Sequence, residues 1–349
     1  MIIAGVASAL PEHYYSQEFL TLAMKRYWGE RLPNPRFLDQ LHSNVGVAGR
    51  YLALPIEEYP RLTTWGQANS AWIRVAQEIG ERALSEALTR AGLSPRDLSA
   101  LFVVSVTGVA SPSLDARLVN RMGLAPTIKR VPIFGLGCVA GAAGIARVSD
   151  YVRAYPDQCA ALLAVELCSL TMQRDDLSTA NLIAAGLFGD GAGAVILSGS
   201  ERGAAGPRIV ATRSVFYPNT EHVMGWDISE KGFQIVLSTE VPLMAQRHLA
   251  CDVDALLREH GLSRPDIGSW ILHTGGPKVL EAMASGLGLS NGALSVSWEC
   301  LRKTGNLSSA SVLLVLEEVM HNRRPSPGSY SVLAAMGPGF CSEVVLLQW

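Results

Sequence analysis

The chain has 349 residues, 48% of them hydrophobic and 17% charged, with a formal net charge of −2. That length suits two lobes of ordinary domain size, and the hydrophobic fraction excludes an extended, disordered chain. The near-neutral balance contains no long run of like charge, so no nucleic-acid footprint is expected and the partners are expected to be small molecules.

The amino terminus, Met1 to Leu10, lacks the positively charged lead of a secretory signal and reads as a first strand. From Thr64 to Gly92 the residues Trp72, Val75, Ala76, Ile79, Ala83, Leu84, Ala87 and Leu88 recur at helical spacing, which predicts an amphipathic helix stopped at Gly92. Ala100 to Val106 and Ala160 to Val165 read as strands, the second fully buried, and the alternation predicts a layered α/β architecture. The run Phe188-Gly189-Asp190-Gly191-Ala192-Gly193 leads into a strand and closes the first half. Gly337-Pro338-Gly339-Phe340 leads into Val344 to Leu347 and closes the second. Each half also holds a glycine turn before a helix of small residues, Gly137 to Gly144 and Gly305 to Ala310. This is a faint internal duplication, dividing the chain into residues 1–200 and 201–349. No run of about 20 apolar residues is present, so no membrane span is expected. The cysteines at 138, 159, 168, 251, 300 and 341 show no CxxC pair and no metal-ligand spacing, which predicts no metal site and a reducing, cytoplasmic setting.

Three residues stand where chemistry is usually placed. Cys138 follows the apolar stretch Val131 to Gly137 and opens a helix of Gly and Ala, where amide N–H groups and the helix dipole favour a thiolate. His273 ends the apolar run Trp270-Ile271-Leu272 and precedes Thr274-Gly275-Gly276-Pro277, so a strand delivers the imidazole to a turn. Asn306 lies in a similar turn; the plain structural role for it there is a helix cap. Cys, His and Asn in this order also describe papain-like proteases, but their cysteine sits near the mature amino terminus in a different setting. The Gly189 to Gly193 run lacks the Lys-Ser/Thr of a phosphate loop and reads as a packing turn.

Taken together, Gly137-Cys138, Leu187-Phe188-Gly189-Asp190-Gly191, His273-Thr274-Gly275-Gly276-Pro277, Gly305-Asn306-Leu307-Ser308-Ser309 and Gly337-Pro338-Gly339 resemble the type III polyketide synthases, the chalcone-synthase-like family. The stretches Arg130 to Gly144 and Val165 to Leu170 are most similar to bacterial alkylpyrone synthases of the germicidin kind. The resemblance implies a thiolase fold, two duplicated α/β lobes in an αβαβα core. It implies that Cys138 carries the acyl starter, that His273 and Asn306 bind the thioester oxygen, and that Phe188 gates a cavity lined by Cys168, Thr171, Ile235 and Ser308, with the Gly337-Pro338-Gly339 loop beside it. It further implies an acyl-CoA starter, a malonyl-CoA type extender, no metal or redox cofactor, a homodimer, and an alkylpyrone or phenolic product. Plant members place basic residues before the segment matching Val45 to Tyr51. Here Phe37 to Asn44 has none beyond His42, with Arg36 nearest, so an acyl carrier protein is an alternative donor. The rival activities are a single-condensation β-ketoacyl carrier-protein synthase and a catalytically silent thiolase-fold partner, the latter disfavoured by the intact Cys, His and Asn.

Overall fold

The computed structural model describes residues 1–32 and 34–349. In chain order, β1 (Ile2–Ala9) leads to β2 (His13–Ser16), helices α1 (Gln17–Trp28) and α2 (Pro35–Asn44), and β3 (Gly49–Leu52), which folds back antiparallel on β2. Next come α3 (Trp65–Ala91), β4 (Leu98–Val104), α4 (Leu114–Met122) and β5 (Lys129–Ile133), then α5 (Ala140–Ala154), β6 (Cys159–Leu167), α6 (Thr179–Leu187) and β7 (Asp190–Ser198). The second half comprises β8 (Arg208–Phe216), the hairpin β9 (Met224–Ser229) and β10 (Gly232–Leu237), α7 (Val241–Glu259), β11 (Ile267–Leu272), α8 (Pro277–Leu287), α9 (Ser295–Thr304), α10 (Ser311–Asn322), β12 (Tyr330–Gly337) and β13 (Cys341–Gln348).

The local chemistry explains the longest of these elements. Thr64 accepts the Gln67 N–H while the Gln67 side chain returns to the Thr64 N–H, a reciprocal cap that starts α3. Gly92 ends it in the left-handed conformation (φ 68°), where a side chain would be strained.

The strands run β5-β4-β6-β7-β1 and continue through β8-β13-β12-β11, the two sections joined where Ile2 stands opposite Arg208. Strands β6 and β7 are buried along their whole length, which requires cover on both faces. Ala161, Leu163 and Val165 pack with Trp72, Val75 and Ile79 of α3 on one side. Ala160, Leu162 and Ala164 pack on the other with Ile145 of α5 and with Val312 and Leu316 of α10. Beyond those two helices come Ile271, Leu333 and Val345 of the second sheet section. Its outer face, Leu272, Val332 and Leu346, is covered by α7 and α8. The order is helix, sheet, helix, sheet, helix, the five-layered architecture that the family resemblance implied. Both central helices begin at the glycine turns that carry Cys138 and Asn306, so the layering brings those turns together.

Candidate active site

Cys138 sits in a single tight turn, Gly137–Val139, between β5 and α5. Gly135 (φ 96°) and Gly137 (φ 53°) supply the left-handed backbone that the turn needs. A Cβ at Gly137 would also strike the Pro338 ring at 2.7 Å. The Gly337-Pro338-Gly339 loop therefore packs directly on the Cys138 turn.

The cysteine is buried, and its thiol points to the Ser308 hydroxyl at 3.7 Å. Ser308 adopts φ 47°, rare for a residue with a side chain. Its N–H donates to Asn306 Oδ1 at 2.8 Å, and the Ser311 hydroxyl approaches the same oxygen at 3.4 Å. Asn306 thus spends its oxygen on the following turn and keeps its NH2 group as a donor beside the Cys138 sulfur. His273 extends from the end of β11, its backbone N–H bonded to Ala334 at 3.0 Å, and neither ring nitrogen has a protein partner.

Burial pushes the Cys138 thiol up to about 12 and the His273 imidazole down to about 4. A lone thiolate or a lone imidazolium is disfavoured here; charge is tolerated best as an opposed pair. Burial opposes the thiolate that the helix end was expected from the sequence to favour.

Beneath Cys138 lies Glu166, fully buried near the end of β6. It accepts from Thr107 Oγ1 at 2.9 Å, from the Val106 N–H at 3.1 Å, from Ser105 Oγ at 3.3 Å and, at close range, from Ser309 Oγ. Burial nevertheless holds its carboxyl up at about 7. Sequence reading ended that strand at Val165; an ionisable residue in a run of otherwise apolar buried positions was the available signal.

Phe188 caps the C-terminus of α6, half-buried, and its segment pairs with Asn306 across one isolated bridge. With Cys168, Thr171 and Ile235 it lines a cavity of about 1020 Å³ whose wall also includes Arg50, Tyr59, Trp65, Trp226 and Phe233. Trp65 and Trp226 each pack on Phe233, with ring centroids 5.9 Å apart. Ser308 and the 337–339 loop are not in this wall; they lie at the Cys138 turn. Sequence analysis missed the aromatic half of the wall because β9 and β10 meet α3 only in the tertiary structure. Among the described residues no group of three potential ligands could hold a metal ion, and no helix is long and apolar enough to cross a membrane.

Residues 3–201 match the family described as chalcone and stilbene synthases, N-terminal domain, and residues 208–349 match its C-terminal domain. A 1,3,6,8-tetrahydroxynaphthalene synthase of Streptomyces peucetius subsp. caesius is 52% identical over 99% of this chain and 93% of its own length. A phloroglucinol synthase of Pseudomonas fluorescens is 31% identical over 97% and 96%. The crystal structure of the 1,3,6,8-tetrahydroxynaphthalene synthase of Streptomyces coelicolor, described as a type III polyketide synthase, superposes with a TM-score of 0.95 at 33% identity, covering 100% of this chain and 99% of that one. The architecture is therefore that of a thiolase-fold condensing enzyme. The chain belongs to the chalcone and stilbene synthase family and is a type III polyketide synthase. Enzymes of this family are acyltransferases that work on acyl- and malonyl-coenzyme A thioesters.

Proposed function

We propose that this enzyme builds a polyhydroxylated fused aromatic product, of the tetrahydroxynaphthalene kind, from malonyl-CoA alone. The observation that carries this reading is the cavity wall, in which Tyr59, Trp65, Trp226 and Phe233 stand among charged and polar side chains such as Gln173 and Arg174. Flat rings stack on a planar polyketide, and polar groups suit its many oxygens, whereas a long alkyl chain needs an uninterrupted apolar tube. The likeness to the Streptomyces peucetius enzyme supports the same reading.

In this mechanism the Cys138 sulfur attacks the starter thioester carbonyl, its proton passes to His273, and coenzyme A leaves as the thiol. A second malonyl thioester loses CO2, and the enolate oxygen is held by an imidazole N–H of His273 and the amide NH2 of Asn306. Its carbon attacks the Cys138 thioester, forming the new carbon–carbon bond and releasing the sulfur. A His273 that stays neutral retains one N–H donor for that oxygen. The reading includes a homodimer, supported by the exposed Phe134 beside β5, the edge strand of the first sheet section.

The test is incubation of purified enzyme with malonyl-CoA alone and then with acyl-CoA starters of graded length, with product masses read out. A tetrahydroxynaphthalene mass from malonyl-CoA alone is expected. A silent malonyl-only reaction, with alkylpyrone masses appearing once a fatty acyl-CoA is added, would replace this reading with the alkylpyrone one, which the smaller Cys168, Thr171 and Ile235 in the same wall favour. Repeating the assay with starters loaded on acyl carrier protein identifies the donor.

A further inference from the structure

Arg50 lies on β3, within the Val45 to Tyr51 segment and apart from the Cys138, His273 and Asn306 turns, and its side chain is buried to 2% exposure. Nη1 donates to the carbonyl of Phe188 at 2.8 Å, while Nε and Nη2 have no hydrogen-bond partner. The neighbouring Asp190 gives its oxygens to the Ala53 N–H and to the Ser169 N–H and hydroxyl instead. Burial pulls the guanidinium down to about 10, so it stays charged at neutral pH. A buried cation holding a single protein acceptor is costly, and such a group calls for an explanation.

Two turns cross above its stem. The Asn306 N–H donates to Leu187 O at 2.9 Å and the Gly189 N–H donates to Asn306 O at 3.0 Å, which ties Phe188 and Asn306 together as an isolated parallel bridge. A Cβ at Gly305 would meet the Arg50 stem at 3.2 and 3.3 Å, and one at Gly189 would lie 3.6 Å from Arg50 Cβ. The arginine therefore fills the floor beneath both glycines, and its head fixes the carbonyl between them.

We infer that Arg50 is a positioning residue whose guanidinium locks the Phe188–Asn306 bridge, holding the gate ring and the enolate-binding amide in one register. A lysine in its place ends in a single ammonium on a flexible stem, without the planar head that carries Nη1 to the Phe188 carbonyl. The inference rests on the role proposed above for Asn306, and the experiment separates the two.

The measurement is CO2 release from malonyl-CoA by the full-length enzyme, in wild type, Arg50→Met, Arg50→Lys, Asn306→Ala and the Arg50→Lys/Asn306→Ala double variant. Asn306→Ala is expected to lose on the order of 10²- to 10³-fold as a missing oxyanion donor. Each Arg50 variant is expected to lose roughly 10- to 100-fold in kcat through misplacement of the amide, with KM little changed. The double variant is expected within about 2-fold of Asn306→Ala, because Arg50 acts through that amide. Iodoacetamide labelling of the Cys138 peptide should proceed at the wild-type rate in Arg50→Lys, since that turn does not touch Arg50. Losses that multiply in the double variant, a wild-type rate in Arg50→Lys, or labelling and decarboxylation falling together would each overturn the inference. Arg50→Met is a second reading of the same effect, and the inference does not depend on its folding. A wild-type rate in Asn306→Ala would remove the role of Asn306 itself and the inference with it.

Discussion

Asn306 uses the two ends of one amide for different purposes: the oxygen receives the Ser308 N–H, and the nitrogen stays free beside Cys138. The helix cap that sequence reading offered as the plain role of Asn306 is not formed, since the N-cap positions of the following short turn and of α10 are Leu307 and Ala310; the oxygen holds a local turn instead and leaves the nitrogen available. The thiol itself has no such versatility. Cys168 is also buried near the site, but it lies at the end of β6 on the cavity wall, away from the tight turn of Cys138. Cys138→Ala is accordingly expected to abolish the acyl adduct seen by intact-protein mass spectrometry after starter addition. An adduct of undiminished intensity in that variant would place the nucleophile on another residue.

Among the elements, the meeting of α5 with the turn before α10 sets the distances at the site. A Cβ on Gly141 would run into the Ser309 carbonyl and approach Val312 Cγ1 at 2.7 Å. That close approach lets Ser308 reach Cys138 and Ser309 reach Glu166. Gly141→Ala gains helix propensity, worth about 1 kcal/mol, but overpacks the contact, which typically costs about 1–3 kcal/mol. The backbone carbonyl cannot rotate away as a side chain could, so the steric cost should win. A lowered melting temperature together with slower condensation is expected; a variant that melts and turns over like wild type would show that the two helices have slack.

For the molecule as a whole, the buried carboxyl of Glu166 couples folding to pH. Burial raises its pKa from the ordinary glutamate value of 4.5 to about 7, so the folded chain holds this proton more tightly than the unfolded chain. Its stabilising contribution is complete below 4.5 and is lost as pH rises through about 7. His42 and His273, both lowered to about 4 by burial, act in the opposite sense and weaken the fold as pH falls from 6.5 towards that value. Comparing wild type with Glu166→Gln cancels the histidines and Asp190, because both proteins share them. The melting temperature of wild type relative to the variant should fall between pH 5 and pH 8. A difference that stays flat, or widens in favour of wild type, would mean that the four donors around the carboxylate outweigh its desolvation.

The sequence by itself determined the elements whose signals are local. Helical spacing with Thr64 and Gly92 at its ends marked α3, the continuous apolar run marked β6, and the glycine turns marked Cys138, His273 and Asn306 as residues delivered to loops. These were legible because periodicity, caps and left-handed glycines act over a few neighbouring residues. The ordered set of motifs was specific enough to indicate the family, and the resemblance, rather than the strand pattern, implied the five-layered core. Only the tertiary structure decided what surrounds those residues. Arg50, Glu166 and the Trp65–Trp226–Phe233 wall come from segments far apart in the chain, and a lone arginine on a short strand carries no local sign of which carbonyl it will hold. The proton affinities of Cys138 and His273 were decided there too, because desolvation depends on everything packed around a group, whereas the helix end visible in the sequence contributes only one part of the field.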